Sequence, residues 1–158
     1  MSGPQTPPPP FGQAVGEAQR ALSALLYDLL EGQGTTFDRW VTLNTLATRG
    51  PAIPRGQLRR DLAEGLAVDA ASVSELLDQL ESSGLIQVSS EPAEHDSARI
   101  ELTADGEALH RSLRESIGRL TVQVVGGLDP EDLRTAVGVL REATARAQAL
   151  RAGEPVST

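Results

Sequence analysis

Apolar positions along this chain recur at helical steps, with one short interruption where they alternate instead. From Gln13 to Leu30 the residues Val15, Ala18, Leu22, Leu25, Leu26, Leu29 and Leu30 return at intervals of three and four, which predicts an amphipathic helix. Gly32 and Gly34 stop it. Thr36 is placed to cap a second helix whose apolar positions are Phe37, Trp40, Val41, Leu43, Leu46 and Ala47, and Gly50-Pro51 ends that helix. Pro54 helps launch a third helix, carried by Leu58, Leu62 and Leu66. Asp69 reads as the N-cap of a fourth, whose face is Val73, Leu76, Leu77 and Leu80, with Gly84 as its stop.

After Gly84 the period changes to two. Ile86 and Val88 alternate with polar residues, as do Ile100 and Leu102, which predicts two short strands joined by a polar tip from Ser89 to Ala98. Thr103 then caps a fifth helix bearing Leu109, Leu113, Ile117, Leu120 and Val124. Gly126-Gly127 breaks it, and Asp129-Pro130 starts a sixth helix with Leu133, Val137, Leu140 and Ala147, ending near Leu150. Residues 1–11 form a Pro-rich arm and 152–158 a polar tail, both expected to be disordered. The stripes of the helices starting at Gln13, Ala104 and Pro130 exceed what the central module can cover. They point to packing on a second copy of the chain, with an intramolecular bundle as the alternative.

The order helix, turn, helix, two-stranded wing and helix start is that of a winged helix-turn-helix, spanning 36–103. The expected fold is therefore mainly α with a small β-hairpin wing, flanked by long dimerisation helices at 12–31 and 104–151. Leu62-Ala63, Leu66-Ala67-Val68, Ser72-Val73-Ser74, Leu80-Glu81-Ser82-Ser83-Gly84-Leu85-Ile86 and Leu102-Thr103-Ala104-Asp105-Gly106 carry a more specific likeness. Through them the chain resembles the MarR family of bacterial regulators over roughly 13–150. That resemblance implies a homodimer whose fourth helices enter successive major grooves of double-stranded DNA. It also implies control by a small, often aromatic, effector in the cleft between the dimer helices and the DNA-binding lobe.

Charge complicates this picture. Fourteen basic residues, all arginine, face 22 acidic ones, for a net charge of −8. The global field therefore repels DNA, and attraction has to come from a local patch. With its leucine face turned inward, the fourth helix points Ala71, Ser74, Glu75, Asp78 and Ser82 outward, and Gln79 at the edge of that face is its one conventional base reader. Glu75 can accept from a cytosine amino group, whereas Asp78 repels phosphate. Family wings of the type DPEDRRAVLVSLT carry paired arginines, and the matching segment here, from Glu91 to Thr103, places His95 and Asp96 at those positions and leaves Arg99 as the wing cation.

The basic cluster lies earlier, at Arg49, Arg55, Arg59 and Arg60. If three cations per subunit meet phosphate, a dimer neutralises about six, and log affinity falls against log salt with a slope near −5. The candidate DNA contacts are therefore Arg49, Arg55, Arg59, Arg60, Ser72, Ser74, Glu75, Gln79, His95 and Arg99. Tyr27, Phe37, Trp40 and His110 are candidates for the ligand cleft, or else core and structural residues.

With no cysteine and two isolated histidines, neither thiol redox chemistry nor a metal site is expected, and no cofactor is called for. No Ser-His-Asp spacing, phosphate loop or carboxylate pair argues for catalysis, so an enzyme is not expected. No apolar run approaches about 18 residues, and the first residues lack the pattern of a signal peptide, which points to the cytoplasm. Two function classes remain: a ligand-responsive, DNA-binding transcriptional regulator, or a chain of the same fold with weak or lost DNA binding that acts through a protein partner or small molecule.

Overall fold

The computed structural model describes residues 10–50, 52–89 and 98–153. Its elements are α1 (Phe11–Gly32), α2 (Phe37–Arg49), β1 (Ile53–Pro54), α3 (Arg55–Leu66), α4 (Ala70–Ser82), β2 (Ile86–Val88), β3 (Arg99–Leu102), α5 (Ala104–Val125) and α6 (Pro130–Ala152). The arm before Pro10, the tail after Gly153 and the wing tip carrying His95 and Asp96 lie outside the described residues.

Several predicted helix boundaries have a local cause. Thr36 caps α2 by accepting from the Arg39 amide. Asp69 caps α4, its Oδ1 accepting from the Ala71 and Ser72 amides at 2.9 Å each. Those bonds favour the ionised carboxylate and hold its pKa below the ordinary aspartate value. Asp129 caps α6 in the same way, followed by Pro130 at the first helical position. Gly84 leaves α4 with φ +70°, a left-handed turn that opens the path to β2.

The sheet has one strand more than the alternation predicts. Its order is β1-β3-β2, all antiparallel, with Ile53 opposite Ile100 and Ile86 opposite Leu102. Two residues, one of them proline, are too short to show a period, so β1 is invisible to pattern reading. Only its pairing with β3 defines it.

The chain divides into two compact units, residues 1–118 and 119–158. In the first, Leu43, Leu46, Leu58, Leu62, Val73, Leu77, Leu80 and Leu113 are buried together with Ile53, Ile86 and Ile100 of the sheet. The core is aliphatic, as the scarcity of aromatics requires. It is made of Leu, Ile and Val, with Ala63 only partly buried against it. The second unit comprises the end of α5, the Gly126-Gly127 break and α6, which buries no residue. Val122, Val124, Leu128, Val137, Val139, Leu140 and Leu150 are exposed on it.

The junction of α4, the sheet and α5 explains part of the family-like motif. Thr103 Oγ1 accepts from the Gly106 amide at 3.1 Å and donates to the Gly84 carbonyl at 2.6 Å. The Leu85 carbonyl accepts from the Thr103 amide and lies directly against Gly106. A Cβ at Gly106 would overlap that backbone oxygen and press on Leu102 Cδ2 at 3.3 Å. Gly106→Ala is therefore expected to cost about 1–3 kcal/mol of overpacking, read as a lower urea midpoint with the slope unchanged. An unaltered midpoint would show that α5 slides away freely.

Candidate nucleic-acid interface

Burial of Val73, Leu77 and Leu80 turns the opposite face of α4 to solvent. Ser72, Glu75, Asp78 and Gln79 are exposed there, and Ser74 is half-buried. Both serines are already engaged locally: Ser72 Oγ donates to Asp69 Oδ2 at 2.9 Å, and Ser74 Oγ donates to the Ala70 carbonyl at 3.0 Å. Glu75 and Gln79 are left as the long polar side chains of the face.

The arginine cluster is not a uniform phosphate clamp. Arg49, at the end of α2, is ion-paired with Asp61 of α3. Arg55 differs more sharply from expectation. Its side chain is only 4% exposed, with Nη2 at 2.5 Å from Asp78 Oδ1 and Nη1 at 3.8 Å from Glu81 Oε2. Its backbone amide donates to the Ala98 carbonyl at the base of the wing, at 2.8 Å. Arg55 thus ties the start of α3 to α4 and to the wing, and its guanidinium is not presented to phosphate. Asp78, read from the sequence as a bare repulsive charge, is its counter-ion. Arg60 is exposed and Arg59 half-buried on α3. Arg99 donates from Nη2 to the Ala52 carbonyl at 3.0 Å, which directs it back along the β1 edge. No spacing rule reveals the Arg55–Asp78 pair, because 23 residues separate its members.

The four aromatic and histidine candidates form two separate pairs. Tyr27 and Phe37 meet edge to face, centroids 5.5 Å apart, where α1 passes into α2. They line a cleft of about 450 Å³ with Leu30, Glu31, Thr35, Thr36 and Asp38. Thr35 Oγ1 is buried there without a hydrogen-bond partner among the described residues. Trp40 of α2 stacks on His110 of α5, centroids 5.5 Å apart and planes 11° from parallel. His110 Nε2 lies 3.2 Å from Asn44 Oδ1. Burial, with Arg114 nearby, pushes the imidazole below its ordinary pKa, so the neutral ring is favoured. Sequence reading missed Asn44, Glu31, Thr35 and Asp38, all polar residues of ordinary type with no motif to mark them. Among the described residues no cluster of His, Asp and Glu suited to a metal ion is found.

A small three-stranded antiparallel sheet behind a capped, polar-faced helix, with long helices before and after, defines a winged-helix protein. Residues 36–94 match the model of the MarR family. The transcriptional regulator PA3341 is 26% identical, with a TM-score of 0.70 over 87% of this chain and 98% of its own. A probable transcriptional regulator from Pseudomonas aeruginosa is 25% identical, with a TM-score of 0.65 over 85% and 96%. A mutant MarR from E. coli, complexed with operator DNA, is 20% identical, with a TM-score of 0.66 over 85% and 93%. Through residues 36–94 the chain is similar to the MarR family, and its fold is that of winged helix-turn-helix transcriptional regulators.

Two tests follow from this geometry. Asp78→Asn with Glu81→Gln leaves the Arg55 guanidinium buried and unpaired. Because Asp78 is 67% exposed, the expected loss is roughly 1–3 kcal/mol, below the ~3–5 of a fully buried pair. It would be measured by chemical denaturation, and an unchanged midpoint would mean that water replaces the carboxylates. The second concerns His110, whose folded pKa lies below the unfolded value of 6.5. The unfolded chain therefore takes up the proton first, and stability present above that value is lost as pH falls through it. Between about pH 8 and about pH 5.5, native protein should lose more stability than His110→Phe, and parallel curves would remove this linkage.

Proposed function

We propose that this chain is a homodimeric, DNA-binding transcriptional regulator whose affinity responds to a small ligand. The observation that carries the reading is the outward polar face of α4, held by the Asp69 cap and the buried leucine face, and followed directly by the wing. The E. coli relative complexed with operator DNA supports a duplex as the partner. Exposed Phe11, Val15, Leu22 and Leu25 on α1, and Val137 and Leu140 on α6, support burial against a second copy. A two-fold dimer reads a palindromic site. Helices 12–31 and 104–151 would carry the dimer and residues 36–103 the DNA. No chemical step is assigned to the chain, and its place is the cytoplasm, where DNA is met. Among the described residues no helix is long and apolar enough to cross a membrane.

A second reading has its own support. Arg49 and Arg55 are engaged by acids, Glu75 occupies the middle of the reading face, and the net charge is −8. On this reading the fold is retained, DNA binding is weak, and the partner is a protein or a small molecule.

The deciding experiment is an anisotropy titration of the full chain against DNA from upstream of its own gene and a scrambled duplex, at low and moderate salt. The regulator reading expects binding to the first, two chains per site. With Arg59 and Arg60 of both subunits on about four phosphates, the log–log salt slope is about −3.6, shallower than the roughly −5 of three cations per subunit, because Arg55 is buried. Arg60→Ala should lower affinity for both duplexes and flatten the slope by about 1.8. No binding to either duplex, with salt-sensitive binding gained by Glu75→Arg and Asp96→Arg, supports the second reading.

A further inference from the structure

We propose that the cleft between the end of α1 and the start of α2 is a binding site for an organic cation with an aromatic or apolar body. The site's shape suits a small molecule, because about 450 Å³ falls within the range of ligand pockets. Its chemistry sets the sign. Glu31 and Asp38 are both among its lining residues, and no lysine, arginine or histidine is. Among the described residues, neither carboxylate has a salt-bridge partner within the cleft. The rings of Tyr27 and Phe37 supply apolar walls and π faces, which attract a cation and repel an anion. Thr35, whose Oγ1 has no hydrogen-bond partner among the described residues, adds a polar residue to the lining.

Helix requirements do not explain the acids. Asp38 sits in the first turn of α2, where a carboxylate is favoured, but Glu31 sits in the last turn of α1, where the helix dipole disfavours one. The two helix ends meet at the cleft with opposite dipole signs and largely offset each other. The charge of the site is therefore that of its carboxylates.

The cleft also lies clear of the surface expected to be covered in a dimer. At 3.6 residues per turn, Tyr27 stands roughly 140° around α1 from Leu22, and Glu31 roughly 180°, whereas Phe11, Val15 and Leu25 stay within about 60° of it. Because α1 carries the exposed apolar stripe and α2 opens the winged-helix lobe, an occupant touches both. The proposed use as an effector site rests on the regulator reading, whereas the binding itself does not.

The test is isothermal titration calorimetry of the full chain with three probes of one shape: benzylammonium, benzyl alcohol and benzoate. Benzylammonium is expected to bind at one site per chain, more weakly as salt is raised, with benzyl alcohol far weaker and benzoate silent. Glu31→Gln and Asp38→Asn should each weaken it about fivefold, and the double variant further, with helical circular dichroism unchanged. Benzoate binding as tightly as benzylammonium, benzylammonium binding untouched in the double variant, or no heat up to about 10 mM probe would each overturn the proposal. The DNA titration is read separately, so loss of operator binding with cation binding intact removes the regulator reading and leaves this site standing.

Discussion

A guanidinium held almost out of water must be paired, and in this chain that requirement organises the candidate DNA-binding surface. Arg55 opens α3, yet its side chain runs to Asp78 and Glu81 of α4 while its amide holds the base of the wing at Ala98. One residue thereby joins the three parts that a winged helix brings to a duplex. The leucine core supplies most of the folding free energy but is non-directional, so many small rotations of α4 would bury the same side chains. The ion pair is directional and selects among them.

The same pairing changes the electrostatics of the interface without changing its net charge. A cation withdrawn from phosphate and an anion withdrawn from repulsion cancel locally, and the second pair, Arg49 with Asp61, does likewise. What faces outward is a modest surface on which Arg60, Glu75 and Gln79 stand out. If such a surface meets a duplex, close complementarity rather than long-range attraction has to supply the affinity. The wing arginine is turned along the β1 edge, consistent with that economy of charge.

The aromatic residues make a related point. Four residues that the sequence suggests as one cleft are divided by the fold into an edge-to-face pair at the α1–α2 corner and a stack between α2 and α5. The first pair stands among carboxylates and an unpartnered hydroxyl. The second is closed by Asn44 and has the features of a structural contact. Residue type alone does not distinguish them, because the distinction lies in which polar neighbours the chain brings from elsewhere.

Helix and strand periods, caps at Thr36, Asp69 and Asp129, and stops at Gly84 and Gly126 were all legible in the sequence, because each depends on neighbours within about four residues. So was the likeness to the MarR family, through residues that close the α4–wing–α5 junction, Thr103 and Gly106 among them. Strand β1, the burial of Arg55, the sharing of Asn44 by His110 and the acidic cleft beside Tyr27 were not legible. Each needs groups far apart in the chain, 23 residues for Arg55 and Asp78 and 66 for His110 and Asn44, and no local rule constrains such pairs. Local chemistry determined which elements form and where they end. Only tertiary packing decided which charges remain free to act, because that depends on which distant side chain reaches each charge first.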